Sequence, residues 1–415
     1  MPAVETTVTV SIYPEGMTLE ALEAQIAQAV QQAGRQLLVL ACQSLEASYL
    51  QAQGPRLRRV KQRPLDLLTR FGWTRLHRWQ MRDPAGEYVC PLDALLHLPP
   101  RQHASPWITS QAVALATRLP YRQATSLLSA WVEAAIDHRS LYRWVQHTGA
   151  AVVLEEDQQQ EAVFTHGEIP PRDPQPREIV LAEVDGTFLR AQREEGPQFE
   201  LRLGVLTTGK ALESPTAKHR RYRLLERVRY AGVETAQDFG ERLFLAGERH
   251  LGLSQAQHLL LVGDGADWIE ALAGHDRWRA TYQLDWWHLI HTLHRTFPDH
   301  RRLLHTLKQA LYRGQGHHLI RLVKLAQINA AADPERTAAL RAYLEANRAG
   351  FYGARQLRQE VSPQGQLVCV QGSGAVEKHI DLVICRRFKG QGMRWTRAGA
   401  NRLLKLRTQE LDKAA

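Results

Sequence analysis

At 415 residues with 44% hydrophobic content, the chain exceeds one small module, and two or three domains with at least one substantial core are expected. Lys and Arg (53) outnumber Asp and Glu (43), a net charge of +10, which favours a polyanionic partner such as nucleic acid. Cys42, Cys90, Cys369 and Cys385 form no C-x-x-C pair and no apolar run nears membrane-spanning length, so a zinc module, a disulfide framework, secretion and membrane insertion are not expected, and a cytoplasmic setting is.

In chain order, Leu19, Leu22, Ile26, Val30, Leu37 and Leu38 recur at near-helical spacing, which predicts a helix over 18–53 capped by Thr18. Strand-like alternation in 73–79, the turn signal at 83–86 and a second short run to Cys90 predict a small basic β-ribbon. These make an N-terminal region, 1–104. Three short helices follow, 108–118, 122–135 and 137–145, within a region 105–154 that resembles a helix-turn-helix. Its last helix would offer Arg139 and Arg143 to a major groove, the plainer reading being a helical packing domain. Acidic and Gln-rich sequence and then Pro170 to Pro176 predict a linker over 155–177.

Beyond the linker, strands alternate with helices. Strand candidates at 178–184, 199–206 and 226–230 precede a helix at 235–250; a buried strand at 258–263, a helix near Asp267 and a strand at 279–284 complete the series. That order predicts an α/β, RNase H-like core, its first part 178–286, its last part 371–415, with a helical insertion over 287–370.

Two strands run into Asp-Gly, at Asp185-Gly186 and Asp264-Gly265. Asp-Gly after an apolar strand is often a turn; two such pairs in a fitting strand order point instead to metal ligands. Phosphoryl transfer with two Mg²⁺ ions, or Mn²⁺ in their place, needs hard oxygen ligands on rigid elements. A third ligand is expected from the helix beginning in Gly372-Ser-Gly-Ala-Val-Glu377, with Glu377 preferred and Asp381 its competitor.

Val184-Asp-Gly-Thr-Phe188, Gly263-Asp-Gly-Ala-Asp-Trp-Ile269, Leu284-Asp-Trp-Trp-His288, Gly372 to Glu377 and Arg386 to Trp395 follow one another as the motifs of bacterial insertion-sequence DDE transposases do, and the stretch 178–407 resembles the broad Mutator-like group of these enzymes. The resemblance implies that Asp185, Asp264 and Glu377 are the metal-binding, catalytic triad and that 287–370 is an insertion before the Glu377 helix. It implies a transposase that cuts transposon ends and joins them to target DNA, as a homo-oligomer when assembled on DNA. A nuclease of the same core that cuts without joining, or a domesticated DNA-binding copy, are the alternatives.

Around this triad, Asp285 is expected to cap a helix, and His288 to orient a phosphate or the attacking water. Glu183 shares a strand face with Asp185, supporting the metals or forming a salt bridge. Trp286 and Trp287 are expected in the core, with base stacking as the other role, and His288, His291 and His294 drift around a helix in a way that suits zinc poorly. Arg386, Arg387, Lys389, Arg394, Arg397, Arg402, Lys405 and Arg407, with no acid between them, are expected along a DNA backbone.

Overall fold

A computed structural model describes residues 9, 11, 18–98, 103–192, 195–212, 222–329, 332–351, 374–390 and 392–413. The chain divides into two units, 1–147 and 148–415.

In the first unit α1 (Leu19–Gln53) begins where Thr18 Oγ1 accepts the Ala21 N–H at 3.3 Å. It packs on an antiparallel ribbon of β1 (Arg58–Thr69) and β2 (Gly72–Arg82), to which the short β3 (Tyr88–Val89) adds. The interface is apolar: Cys42 of the helix meets Leu65, Leu67 and Leu76 of the ribbon and Leu92 of α2 (Pro91–Leu95). Gly34 is required there, since a Cβ would lie 2.4 Å from the Phe71 ring. Next come α3 (Pro106–Ala116), capped by Ser105, α4 (Tyr121–Val132) and α5 (His138–Gln160). Ile108, Ala112, Leu128, Val132, Leu141 and Val145 are buried among these three helices.

The predicted start of the linker, residue 155, falls inside α5, which runs to Gln160 and a π turn at Glu161–Thr165. Glu and Gln are good helix formers, and this polar helix end is tied down. Asp157 pairs with Arg242, Glu156 lies 3.7 Å from the same guanidinium, and Gln160 donates to Asp238 at 2.9 Å.

The second unit is built on a five-stranded sheet of β4 (Ile179–Arg190), β5 (Gln198–Thr207), β8 (Val228–Gly232), β9 (His258–Gly263) and β10 (Thr281–Leu284), in the order β10-β9-β4-β5-β8. Its first three strands in sequence are antiparallel neighbours, and β9 and β10 join parallel to β4. A hairpin of β6 (Gly209–Leu212) and β7 (Tyr222–Leu225) was not foreseen. Every second residue of the central strands, Val180, Ala182, Val184, Leu259, Leu261, Tyr282 and Leu284, enters one large core with α6 (Ala236–Leu251), α7 (Asp267–Ala273) and α8 (Trp286–Thr296). The core extends into α9 (Arg301–Tyr312), α10 (Gly316–Ile328) and α11 (Pro334–Ala346). These are the described part of the expected insertion; its end, 352–370, lies outside the described residues, as do Gly372 and Ser373. The Glu377 helix (Gly374–His379) packs on β4 and β5 and continues through a π turn, Ile380–Cys385, to Phe388; the C-terminal helix is Arg397–Lys413.

Asp185-Gly186 is not a turn. β4 continues five residues past Asp185, to Arg190, and pairs with β5 throughout. A Cβ on Gly186 would stand 2.4 Å from Glu200 Oε1 of the neighbouring strand, so a larger residue there would have to displace the end of the Glu200 side chain.

Candidate active site

The strand register brings the carboxylates together. Glu183 of β4 pairs with Val262 of β9, and Gly263 pairs with Leu284 of β10. Continued along the strands, this register sets Asp185, Asp264 and Asp285 in one row across β4, β9 and β10, at the carboxyl ends of the two short parallel strands. Residues in register across a parallel sheet point to the same face, here the face opposite the Val180–Ala182–Val184 core. The Glu377 helix crosses that face.

Asp185 feels the resulting crowd of charge. Burial and the nearby carboxylates of Asp264 and Glu377 push its pKa up to about 6, against the Gly186 N–H, donated at 2.7 Å, and His288. Asp264 Oδ1 accepts the Ala266 N–H at 3.0 Å, which shapes the loop into α7. Gly265 follows with φ +95°, and a Cβ there would lie 2.6 Å from Asn347 Oδ1, so the loop demands glycine twice over. From α11, the Tyr343 hydroxyl donates to the Asp264 carbonyl at 2.5 Å, and Asn347, after the helix end, accepts from Tyr282 at 3.1 Å. α11 and Asn347 after it thus brace the Asp264 loop. No sequence signal marked Tyr343 or Asn347, because contacts between residues far apart in the chain leave no local pattern.

Asp285 is fully buried and caps α8, accepting the N–H groups of Trp287 and His288, each at 3.1 Å. Its Oδ2 also meets His288 Nδ1 at 2.6 Å. That hydrogen bond, opposed by burial, raises the His288 pKa. His288 Nε2 then faces Glu377 Oε1 at 3.8 Å, too far for a hydrogen bond. Burial lifts the Glu377 pKa above its ordinary value, and Oε1 is buried with no hydrogen-bond partner. Among the described residues, Asp285, His288 and Glu377 offer ligand atoms that all lie within 4.8 Å of one another.

Glu183, 2% exposed, accepts the backbone N–H groups of Ala375 and Val376 at 2.8 and 3.0 Å. It therefore anchors the start of the Glu377 helix, a role neither a salt bridge nor metal support had suggested. Asp381 is exposed and bound to Arg386 at 2.8 Å. Trp286 is buried, as core packing requires, whereas Trp287 is 52% exposed and stacks on His291 at 5.5 Å.

The basic C-terminal segment divides. Arg387 is 2% exposed and stacks on Phe388 and Trp395, Arg407 donates to the Val383 and Leu382 carbonyls, and Lys405 is buried against Glu156 and Glu234. These three are out of reach of a phosphate, because a buried guanidinium or ammonium keeps its place only while its partners hold it. Lys389 and Arg394 are exposed, and Lys389 Nζ reaches Thr187 Oγ1 at 2.6 Å, two residues beyond Asp185. In the first unit Arg139 and Arg143 are both exposed on α5.

A model of the uncharacterised protein family UPF0236 matches residues 12–414. The chain belongs to that family. A curated relative, the UPF0236 protein in the vanSb 3′ region of Streptococcus gallolyticus, is 24% identical over 373 residues, 88% of this chain and 76% of the relative. Among solved structures, the Drosophila P element transposase strand transfer complex is similar at 12% identity and a TM-score of 0.23, covering 74% of this chain and 78% of that one. A likeness at that score defines neither fold nor function. No described helix of this UPF0236 member is long and apolar enough to cross a membrane.

Proposed function

We propose that this UPF0236 member is a DDE transposase, a divalent-metal-dependent enzyme that cuts DNA at element ends and joins the freed 3′-hydroxyl to target DNA, with Asp185, Asp264 and Glu377 as its triad. The observation that carries the reading is the row of aspartates on three adjacent strands, crossed on the same face by the helix that presents Glu377. The strand order, three antiparallel then two parallel, supports an RNase H-like core. The donor chemistry fits Mg²⁺ or Mn²⁺: Asp185, Asp264 and Glu377 offer hard carboxylate oxygens, and Glu377 Oε1 is buried with no hydrogen-bond partner. The Asp185 pKa is raised by burial first and by the Asp264 and Glu377 carboxylates after it, although among the described residues the ligand atoms within 4.8 Å of one another are those of Asp285, His288 and Glu377.

When bound by Asp185, Asp264 and Glu377, two such ions supply Lewis acidity at the scissile phosphate. The chain's own groups do the rest. Asp285 orients His288 and, by accepting from Nδ1, favours its imidazolium form, so that Nε2, turned to the Glu377 side of the site, donates to a phosphate oxygen. Lys389 and Arg394 hold the DNA backbone beside β4, and Arg139 and Arg143 engage duplex DNA from the first unit.

The test is plasmid nicking, and joining of pre-cut 3′ ends, in Mg²⁺ or Mn²⁺. The reading expects both activities from the parent chain and neither from Asp185→Asn, Asp264→Asn or Glu377→Gln, with DNA binding retained. Nicking without joining would reduce it to a nuclease. Full activity in any one variant would remove that residue from the triad.

A further inference from the structure

Helix α1 has two apolar faces. One, with Gly34, Cys42 and Leu50, is buried on the ribbon side. On the other, Leu19, Ile26, Val30, Leu37 and Leu40 are between 40% and 71% exposed. Including Ala33, the steps from Ile26 are four, three, four and three residues, and Leu19 stands seven before Ile26. A purely solvated face has no cause for such a stripe, whereas a repeat of seven is the seam along which two helices interlock. The stripe occupies roughly 33 Å of helix at 1.5 Å per residue.

We infer that α1 pairs along this seam with α1 of a second copy of the chain. Three observations favour that occupant. The seam can pair with itself, with β-branched Ile26 and Val30 on one side of the small Ala33 and Leu37 and Leu40 on the other. Charge opposes it only at the N-terminal end, where Glu23 takes the seam position between Leu19 and Ile26; from there to Glu46 the helix carries one charged residue, Arg35, and its guanidinium is engaged by the Phe71 carbonyl at 2.8 Å. The exposed apolar surface of the five residues comes to roughly 500 Å² per helix, so two copies bury about 1,000 Å², the lower bound for a specific interface. An acidic or basic partner would leave a mark of opposite charge beside the seam, and the flanking Ala27, Ala29, Gln36 and Gln43 carry none. The pairing does not depend on the catalytic reading.

Sedimentation velocity of the full chain without DNA, at micromolar concentration, tests the inference. The expected result is a dimer for the parent chain and at least a tenfold weaker association for Val30→Glu and Leu37→Glu, with unchanged circular dichroism because both sites are exposed. A monomeric parent chain overturns the pairing, as does a dimer that both variants leave intact. Should the charged variants fail to fold, Ala33→Cys decides, since Ala33 faces its counterpart whichever way the helices run: oxidation yields a covalent dimer, absent from the parent chain, if the seams meet, and its absence overturns the pairing.

Discussion

Glu183, two residues before Asp185 on β4, accepts the Ala375 N–H at 2.8 Å, two residues before Glu377. One buried carboxylate therefore ties the strand of Asp185 to the helix of Glu377, the first and third acids of the proposed triad. The free N–H groups at a helix start carry partial positive charge, and a buried anion there is well compensated.

Glu183→Ala leaves two buried donors unsatisfied, each costing about 1–3 kcal/mol. The expected loss is several kcal/mol in urea unfolding. Glu183→Gln keeps an acceptor oxygen, so it should lose less than half as much and keep DNA cleavage within about tenfold of the parent, an order-of-magnitude allowance for one weakened hydrogen bond. Equal losses from both substitutions would mean that the charge itself, not the acceptor, holds the helix.

Asp185 gives a pH prediction. Its folded pKa is raised to about 6 from 3.8, so protonation favours the folded, metal-free state: this destabilisation is absent at low pH and sets in as pH rises through 4 to 6. Asp185→Asn removes it. In chelator, the variant should be more stable than the parent at pH 7.5 by on the order of 2 kcal/mol, with the gain vanishing near pH 4. Added Mg²⁺ should stabilise the parent and not the variant in a thermal melt. A variant less stable than the parent at pH 7.5 would contradict the account in which burial, helped by the neighbouring carboxylates, penalises the ionised Asp185.

Asp285 caps α8 and holds His288 with the same carboxylate. Asparagine is as good a cap as aspartate, so Asp285→Asn should keep the helix and change only the imidazole. The His288 pKa, raised by the Asp285 hydrogen bond, should fall once that charged acceptor is replaced by a neutral one. NMR titration of the imidazole resonances reads this directly. Cleavage should fall most at neutral and higher pH, where the lowered pKa leaves His288 uncharged. An unchanged titration would mean that Asp285 acts as a cap alone.

Much of this architecture was legible because local pattern encodes it. The apolar run at 258–263 reads as a buried strand and 279–284 as another, found at Thr281–Leu284, with the helical pattern near Asp267 between them. Asp185 was singled out on the expectation that its strand ends there, but β5 pairs with β4 past Asp185 and keeps it extended. Glu183, Tyr343 and Asn347 act through partners far along the chain, and the burial of Arg387, Lys405 and Arg407 depends on helices that meet only after folding. No spacing in one sequence records such contacts. The end of α5 went unread because Glu and Gln there looked like a solvated linker, while their partners lie on α6.

The basic segment after the Glu377 helix gives the last prediction, since its charges divide by burial. Lys389 is exposed beside Thr187, Arg386 is exposed but bound to Asp381, and Arg387 is buried between aromatic rings. If all three met phosphates, replacing them together would flatten the slope of log affinity against log salt by about 2–3 units on duplex DNA; each true contact accounts for about 0.9. Lys389→Ala alone should give close to one contact's change, weakening all DNA sequences alike. Arg386→Ala should change the slope little, because it frees Asp381 as it removes the cation. Arg387→Ala should leave the slope unaltered in whatever protein remains folded, and lower stability by about 3 kcal/mol through the cavity and the lost aromatic stacking. Salt titrations of the three single variants, each with its own unfolding curve, separate the roles. A slope change of a full contact in Arg387→Ala, with stability intact, would require that side chain to leave its aromatic cage and reach the DNA.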